Sequence, residues 1–225
     1  GLQWDTRQDL NILLPPSIRI YEANGLLPDS AAVRAVCAVV DLRDNNLNVK
    51  VVGSNTRRQT TAEAYDEHNA ILAINGGYFS SKASVSMLVS DGEVISPGPD
   101  GKLTRGAFGL VGRKPEVTWP YAAGEQHVIY KYPNPNVADT FPTETFPAGA
   151  EPWLANQIVG AGPVLIKSGK IRDTSKEEGF GGSHLKRHPR TAIGYRDEHT
   201  LVMVVVDGRQ KPSAGVTITE LAQIM

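Results

Sequence analysis

Apolar residues in this chain fall in short runs, and turn-forming residues separate the runs. Near-continuous apolar segments at residues 31–42, 70–74 and 200–206 predict strands that are buried on both faces. A polar turn at residues 196–199 makes the last of these the second strand of a hairpin. The pattern predicts further strands and hairpins at residues 47–52 (paired with 31–42), 87–95, 107–111, 158–166 and 191–195.

Two helix starts stand out among the strands. Thr60 and Glu63 have the spacing of a capping box, in which each side chain satisfies a backbone N–H group of the other residue. Thr217 and Glu220 have the same spacing. We therefore predict a short helix through His68 and a final helix after Thr217. Together the elements predict an α+β fold, with strand-rich mixed sheets and few short helices in a single domain.

The length of 225 residues suits one large domain, and 22 Gly and 15 Pro indicate many turns. We expect residues 1–30 to form an irregular N-terminal segment with one edge-like strand at 18–21. Residues 31–225 are expected to form the domain itself.

Composition excludes several classes of protein. The net charge of −1 gives no argument for nucleic acid as a partner. Cys37 is the single cysteine, so a disulfide framework and a cysteine-rich zinc site are excluded, and a small buried side chain is expected there. No apolar stretch has the length of a membrane span. Gly1 in place of Met indicates a processed or recombinant start, and we expect an exported protein (periplasmic, cell-surface or secreted) whose leader has been removed.

Two segments carry candidate chemistry. The strand at 200–206 ends at Asp207-Gly208-Arg209-Gln210, where a rigid element would hold a carboxylate and a guanidinium. The strand at 70–74 ends at Asn75-Gly76-Gly77, where glycines permit positive φ or a close approach of another backbone. Each segment has a plainer interpretation as a tight turn.

Residues 172–187 form a polar, glycine-rich loop that we expect to be a mobile cover, and residues 120–153 an irregular rim loop. His184 and His188 are four residues apart, a spacing that suits a metal on a helix. Gly182 and Pro189 bracket them, so a helix is not expected there, and we predict no metal site and no cofactor.

The ordered motifs resemble those of the phosphodiester glycosidase domain family. The matching pieces are Asn75-Gly-Gly-Tyr-Phe79, Gly160-x-Gly-Pro-x-Leu165 with Gly169, Arg190-Thr-Ala-Ile-Gly194, Asp207-Gly-Arg-Gln210, and Gly215 with Thr217 and Glu220-Leu-Ala222. The resemblance implies hydrolysis of a sugar-1-phosphodiester in bacterial exopolysaccharide or cell-surface glycan metabolism. Members of the family continue past the final helix into a strand and an Asn-Leu-Asp-Gly-Gly-Gly-Ser-Ser segment. This sequence stops at Met225, so we expect the domain to be truncated and a site component to be missing.

Residue chemistry then suggests roles at the matched positions. Asp207 is the candidate base or nucleophile, Glu220 its partner, and His188 a proton shuttle. Arg190 and Arg209 match phosphate in a bidentate way. The expected catalytic residues are Asp207, Arg190, Glu220 and His188, and the expected substrate-binding residues are Asn75, Gly76, Gly77, Thr191, Arg209 and Gln210.

Two other functions stay open at this point. The same fold would also serve a non-catalytic protein that binds a surface glycan, which needs aromatic platforms rather than converging carboxylates and arginines. A metal-dependent phosphodiesterase would use His184, His188 and Asp207 as ligands.

Overall fold

A computed structural model describes residues 2–54, 56–81 and 83–225. The elements in chain order are β1 (Asp5–Thr6), α1 (Gln8–Asn11), β2 (Ile18–Leu26), β3 (Ala32–Asp41), α2 (Thr61–Glu67), β4 (Phe79–Ser80), β5 (Ala83–Ser84), β6 (Met87–Ser90), β7 (Glu93–Pro97), β8 (Ala107–Val111), β9 (Lys114–Ala123), β10 (Val128–Tyr132), β11 (Glu151–Pro152), β12 (Gln157–Gly160), β13 (Ile166–Lys167), β14 (Lys170–Ile171), a 3₁₀-helix (Gly182–Leu185), β15 (Arg190–Asp197), β16 (Thr200–Val206) and α3 (Ile218–Ile224).

A five-stranded sheet has the order β1-β2-β3-β16-β15. β3 lies at its centre and pairs with β2 on one side and β16 on the other. β15 and β16 form the predicted hairpin at one edge. A central strand that is covered on both faces needs apolar residues at successive positions, which explains the apolar runs of β3 and β16.

A seven-stranded sheet has the order β11-β10-β9-β8-β12-β6-β7, and two short hairpins, β4-β5 and β13-β14, lie apart from it. The strand pairs in the described part of the chain are all antiparallel. The strand-rich α+β fold class is therefore confirmed, while the parallel pairs that a mixed sheet would contain are not found among these residues. Hairpins supply most of the connections between neighbouring strands, and a hairpin makes its two strands antiparallel.

Two hydrophobic clusters cover the two faces of the five-stranded sheet, and a third packs around Trp153 and Ile158 in the seven-stranded sheet. Ile20 and Leu201 pack on Phe108 of β8, which joins the two sheets. On the opposite face, Val204 packs on Leu221 of α3. Cys37 lies in this second cluster, and burial raises its pKa to about 11, as expected for a buried hydrophobe rather than a nucleophile.

Both predicted capping boxes are present. Thr60 and Glu63 cap α2, and Thr217 and Glu220 cap α3 in the same reciprocal way. α3 buries Ile218, Leu221 and Ala222, whereas α2 has no buried residue. No helix in the described part of the chain is long and apolar enough to cross a membrane.

Four strand predictions are wrong in detail. The predicted strand at residues 158–166 ends at Gly160, and residues 161–165 form no strand before β13 begins at Ile166. Residues 47–52 do not pair with β3, because β2 and β16 already occupy both of its edges. Residues 70–74 form no strand, and Ile71 there is 48% exposed. Within the segment expected to be irregular, Ile18–Leu26 is a nine-residue strand that pairs with both β1 and β3, so it is not an edge strand.

The loop at residues 172–187 is not a loose cover throughout. Its middle part is anchored in the protein, since Thr174, Ser175 and Glu178 are buried together with Phe180. The remainder contains the 3₁₀-helix, whose residues are exposed.

Candidate active site

The β15–β16 hairpin brings two of the predicted site residues to one end of the sheet. Arg190 begins β15 and pairs with Val206, the last residue of β16, so Asp207 follows at the same end. Gly208 is required there, because a Cβ atom on it would collide with the backbone nitrogen of Pro189.

Asn75 lies against this end of the hairpin. The hydroxyl of Thr191 donates a hydrogen bond to Asn75 Oδ1 at 2.5 Å, across 116 positions of sequence. Thr191 pairs with Val205, and the alternation of side chains along a strand places Asp207 on the same face as Val205. The Asn75–Thr191 pair and Asp207 therefore lie on one face of the sheet. Arg190, which pairs with Val206, begins on the other face, where its guanidinium contacts the carbonyl of Val216.

The two glycines after Asn75 have different surroundings. Neither has a positive φ, so the conformational reason proposed from the sequence does not apply. A Cβ atom on Gly77 would overlap the carbonyl oxygen of Gly160, whereas one on Gly76 would meet a methyl group of Val159 at 3.3 Å. Close approach of two backbones is thus the reason for glycine at position 77.

The guanidinium of Arg190 is held by backbone carbonyls. Its Nη2 donates to His184 O at 2.5 Å and to Lys186 O at 2.8 Å, and its Nε donates to Val216 O at 3.2 Å. Burial lowers the pKa of Arg190, Tyr78 opposes this, and the positive charge of Arg209 lowers it further. Two like charges are therefore close together at this end of the hairpin.

Arg209 has a left-handed backbone (φ 61°), and its Nη2 lies 2.7 Å from Nδ1 of His188. The other ring nitrogen, Nε2, is 2.7 Å from the carbonyl oxygen of Ser183. A carbonyl only accepts, so Nε2 carries the proton and Nδ1 accepts from the guanidinium. In this arrangement both nitrogens of His188 are occupied and its ring contacts Arg209, while its role as a proton shuttle stays a prediction.

Neither Arg190 nor Arg209 has a carboxylate partner within ion-pair distance in the described part of the chain. Arg187, three positions before Arg190, is different. It contacts Glu220 at 2.5 Å and Asp29 at 2.8 Å. The positive charges of Arg190 and Arg209 are thus left uncompensated, as an anion-binding site requires.

Glu220 is engaged elsewhere in this structure. Its Oε2 accepts from the backbone N–H of Thr217, and both oxygens contact Arg187. The contact with Arg187 is the first cause of the lowered pKa of Glu220. A partnership with Asp207 stays a prediction. In the observed contacts, Glu220 caps the N-terminus of α3 and forms an ion pair with Arg187.

The backbone of Asp207 is fixed on both sides. Its N–H donates to Arg34 O at 3.0 Å, and its carbonyl accepts from the hydroxyl of Ser213 at 2.6 Å. The half-buried carboxylate forms no ion pair in the described part of the chain. Gln210 lies in an exposed turn closed by two backbone hydrogen bonds to Ser213.

The structure adds residues that sequence analysis did not select. Tyr78 donates its hydroxyl to Gly162 O at 3.1 Å, and its ring lies 5.5 Å from that of Phe180. Burial raises the pKa of Tyr78, and Arg190 and Arg105 oppose the rise. Tyr78 lies within the Asn75–Phe79 motif, and this position in the sequence was the one sign that it belongs to the site.

The described residues contain no group of three or more His, Cys, Asp or Glu side chains that could hold a metal ion. The ring of His184 packs edge-on against Tyr78 and Phe180, and both nitrogens of His188 are occupied. The proposed ligand set of His184, His188 and Asp207 therefore has no support in this arrangement.

Comparison with known families decides the classification. Residues 68–225 match the family model described as phosphodiester glycosidase. The chain belongs to the phosphodiester glycosidase family. The match covers Asn75, Thr191, Asp207 and the other residues of this end of the hairpin, and it confirms the resemblance drawn from the sequence motifs.

Two solved structures share the fold of this phosphodiester glycosidase family member. A hypothetical protein from Synechocystis has a TM-score of 0.66 at 15% identity, covering 100% of this chain and 59% of its own. A candidate exported protein from Burkholderia pseudomallei K96243 has a TM-score of 0.60 at 14% identity, and the match covers 87% of this chain and 66% of that protein. The chain thus spans less than two thirds of either structure. A search of curated proteins gives no significant match.

Proposed function

We propose that this protein hydrolyses a sugar-1-phosphodiester and releases the free sugar from the phosphate of a second group. The observation that carries the proposal is the pair of guanidinium groups without a carboxylate partner, Arg190 and Arg209, at the same end of the β15–β16 hairpin as Asp207. Membership of the phosphodiester glycosidase family supports the same reaction class.

The chemistry needs few catalytic groups. Water attacks the anomeric carbon, the bond between that carbon and the phosphate oxygen breaks, and a phosphomonoester leaves. Because this leaving group is already stable as an anion, a strong general acid matters less than in ordinary glycoside hydrolysis. Fixed positive charge on the phosphate oxygens and a carboxylate facing the anomeric carbon stabilise the transition state most.

Each group in the site has a role under this proposal. Arg190 and Arg209 bind the phosphate, with the remaining N–H groups of their guanidinium forks. Asp207 acts as base or nucleophile at the anomeric carbon. Asn75 and Thr191 orient a sugar hydroxyl, because their mutual hydrogen bond fixes both side chains on the same face of the sheet.

A role in bacterial surface glycan or exopolysaccharide metabolism, outside the cytoplasm, is part of the proposal. Support comes from the similarity in fold to a candidate exported protein of Burkholderia pseudomallei. The identity of 14% limits that similarity to the fold, so the substrate must be found by experiment.

The proposal is tested by measuring sugar release from a panel of sugar-α-1-phosphodiesters, including the methyl diester of N-acetylglucosamine-α-1-phosphate. We expect Asp207→Asn to lower kcat at least about 100-fold, because removal of an acid–base group costs this much. We expect Arg190→Lys to lower kcat/KM roughly tenfold or more, because an ammonium cannot reproduce the planar fork.

Matched control variants exist on the same sheet. Asp5 lies exposed on β1, at the edge opposite β15, and Arg196 lies exposed at the other end of β15. Asp5→Asn and Arg196→Lys should retain the activity of the parent protein. Wild-type turnover by Asp207→Asn would remove Asp207 from the mechanism. Binding of the diesters without any sugar release would instead favour a non-catalytic glycan-binding protein.

A further inference from the structure

Three rings separate the Arg190 side of the site from a second positive charge. The ring centroids of Tyr78 and Phe180 are 5.5 Å apart, and that of His184 lies 6.4 Å from the first and 5.8 Å from the second. We call these three residues the aromatic cluster. Arg190 contacts it on one side through the carbonyl of His184.

Arg105 lies on the other side of the aromatic cluster. Its guanidinium carbon is 4.6 Å from the ring centroid of Phe180, and its Nε donates to the backbone carbonyl of Glu178 at 3.3 Å. Neither Nη atom has a hydrogen-bond or carboxylate partner among the residues that the structure describes. Arg105 is half-buried, so its charge is partly desolvated. It has no ion pair among these residues, and the nearby buried carboxylate of Glu178 accepts from the N–H of Gly106 instead.

Arg105 also lines a narrow cleft beside the Asn75–Tyr78 segment, whose interior has room for about one water molecule. Its walls are mostly apolar, and Arg105 is the one charged residue among the described residues that line it. Gly160 and Ser86, which also line the cleft, are the groups against which Gly77 packs. The cleft therefore adjoins the candidate active site through the backbone of the Asn75–Tyr78 segment.

We propose that Arg105, at the rim of this cleft, forms a second anion subsite, which binds a phosphate or similarly charged group of the substrate in addition to the scissile phosphodiester. The proposal rests on the proposed function, and it narrows the substrate class to phosphodiesters that carry a second negative charge. An unpaired, half-buried guanidinium gains most from an anion, because a charged group taken partly out of water needs a partner. Both Nη atoms of Arg105 lack a hydrogen-bond partner among the described residues, so they are available for that contact.

The second charge has two possible positions, on the sugar or on the aglycone, and three substrates distinguish them. They are the methyl diester of N-acetylglucosamine-α-1-phosphate, the same diester phosphorylated at the sugar O6, and the diester with a 2-phosphoethyl aglycone. We expect one of the doubly charged substrates to have a kcat/KM at least about tenfold above that of the methyl diester, as for one charge-assisted hydrogen bond.

Arg105→Gln should abolish that preference, and Arg105→Lys, which keeps the charge, should retain part of it. Arg196→Gln, at the far end of β15, should keep the full preference. Melting temperatures of all variants identify any loss of folding. Partial unfolding lowers kcat/KM for both substrates by the same factor, so the ratio of the two kcat/KM values on one variant is unaffected by it. The subsite is disproved if the wild type shows no preference, or if the preference survives in Arg105→Gln.

A binding experiment separates this proposal from the proposed function. If no diester is turned over, calorimetry with glucose 1-phosphate and glucose 1,6-bisphosphate decides the matter, because the two differ by one phosphate. Tighter binding of the bisphosphate that is lost in Arg105→Gln supports the subsite even though the hydrolase proposal fails. Equal binding of both compounds by the wild type excludes the sugar position, and equal binding of the methyl and 2-phosphoethyl diesters as well overturns the subsite.

Discussion

At the scale of single residues, Gly76 and Gly77 give a sharp comparison. We expect Gly77→Ala to lower the free energy of unfolding by about 1–3 kcal/mol, because the new methyl group would meet the backbone of Gly160, which cannot move aside easily. Gly76→Ala should lower the free energy of unfolding by less, since the neighbouring atom is a side-chain methyl group of Val159, which can shift. Urea unfolding of both variants measures the difference. Equal losses would show that the backbone at Gly160 yields as readily as the side chain of Val159.

Single residues also show the limit of sequence analysis at the site. The spacing of motifs was enough to select Asn75 and Thr191, which the structure joins by a hydrogen bond. The capping-box spacing predicted the contact of Glu220 with Thr217. Sequence analysis could not find its contact with Arg187, or that of His188 with Ser183, because Arg187 and Ser183 lie in a loop without a periodic pattern. Occupied polar atoms are a property of packing, which a one-dimensional pattern does not contain.

At the scale of elements, the correct predictions were those with a local cause. The β15–β16 hairpin and both capped helices depend on neighbouring residues, and each is present. The predicted strand at residues 47–52 failed because pairing depends on competition for an edge, and β2 and β16 occupy both edges of β3. An apolar run indicates burial, but it does not identify the partner that buries it.

The start of α3 gives a pH-dependent prediction. Arg187 is the first cause of the lowered pKa of both Glu220 and Asp29, whose ordinary values are 4.5 and 3.8. A carboxyl whose pKa is lowered by folding stabilises the fold above its ordinary pKa and loses that contribution as the pH falls through the lowered value. Arg187→Gln should therefore lower the melting temperature by roughly 2–4 °C at pH 7. The difference should shrink as the pH falls below about 4.5.

Thermal melts of the parent protein and Arg187→Gln between pH 7 and pH 3 measure this effect. Arg196→Gln is the control, because Arg196 pairs with Asp197 in an exposed position, where an ion pair contributes little. A difference between parent and Arg187→Gln that stays constant down to pH 3 would contradict the assigned role of the two carboxyls.

At the scale of the whole molecule, Glu178 connects segments that are far apart in sequence. Its carboxylate is fully buried and accepts from the Gly106 N–H, the Trp119 indole, the Val164 N–H and the Thr174 hydroxyl, at 2.6–2.8 Å. Because Val164 follows Gly162, this network also fixes the segment whose carbonyl accepts the hydroxyl of Tyr78. No signal in the polar, glycine-rich loop marked Glu178, since three of its four donors lie outside that loop.

Glu178→Gln tests whether this connection holds the fold together. The variant keeps the volume, but its amide group offers one acceptor oxygen and must turn a donor toward at least one buried donor. We expect the free energy of unfolding to fall by about 2–3 kcal/mol, as for a buried donor left without a partner.

Glu177→Gln is the matched control, since Glu177 has 41% of its side chain exposed and a single contact with Arg172 at 3.8 Å. Glu177→Gln should lower the free energy of unfolding by less than about 0.5 kcal/mol. Urea unfolding measures both variants. Similar losses at positions 177 and 178 would mean that the buried carboxylate contributes no more to stability than its exposed neighbour does.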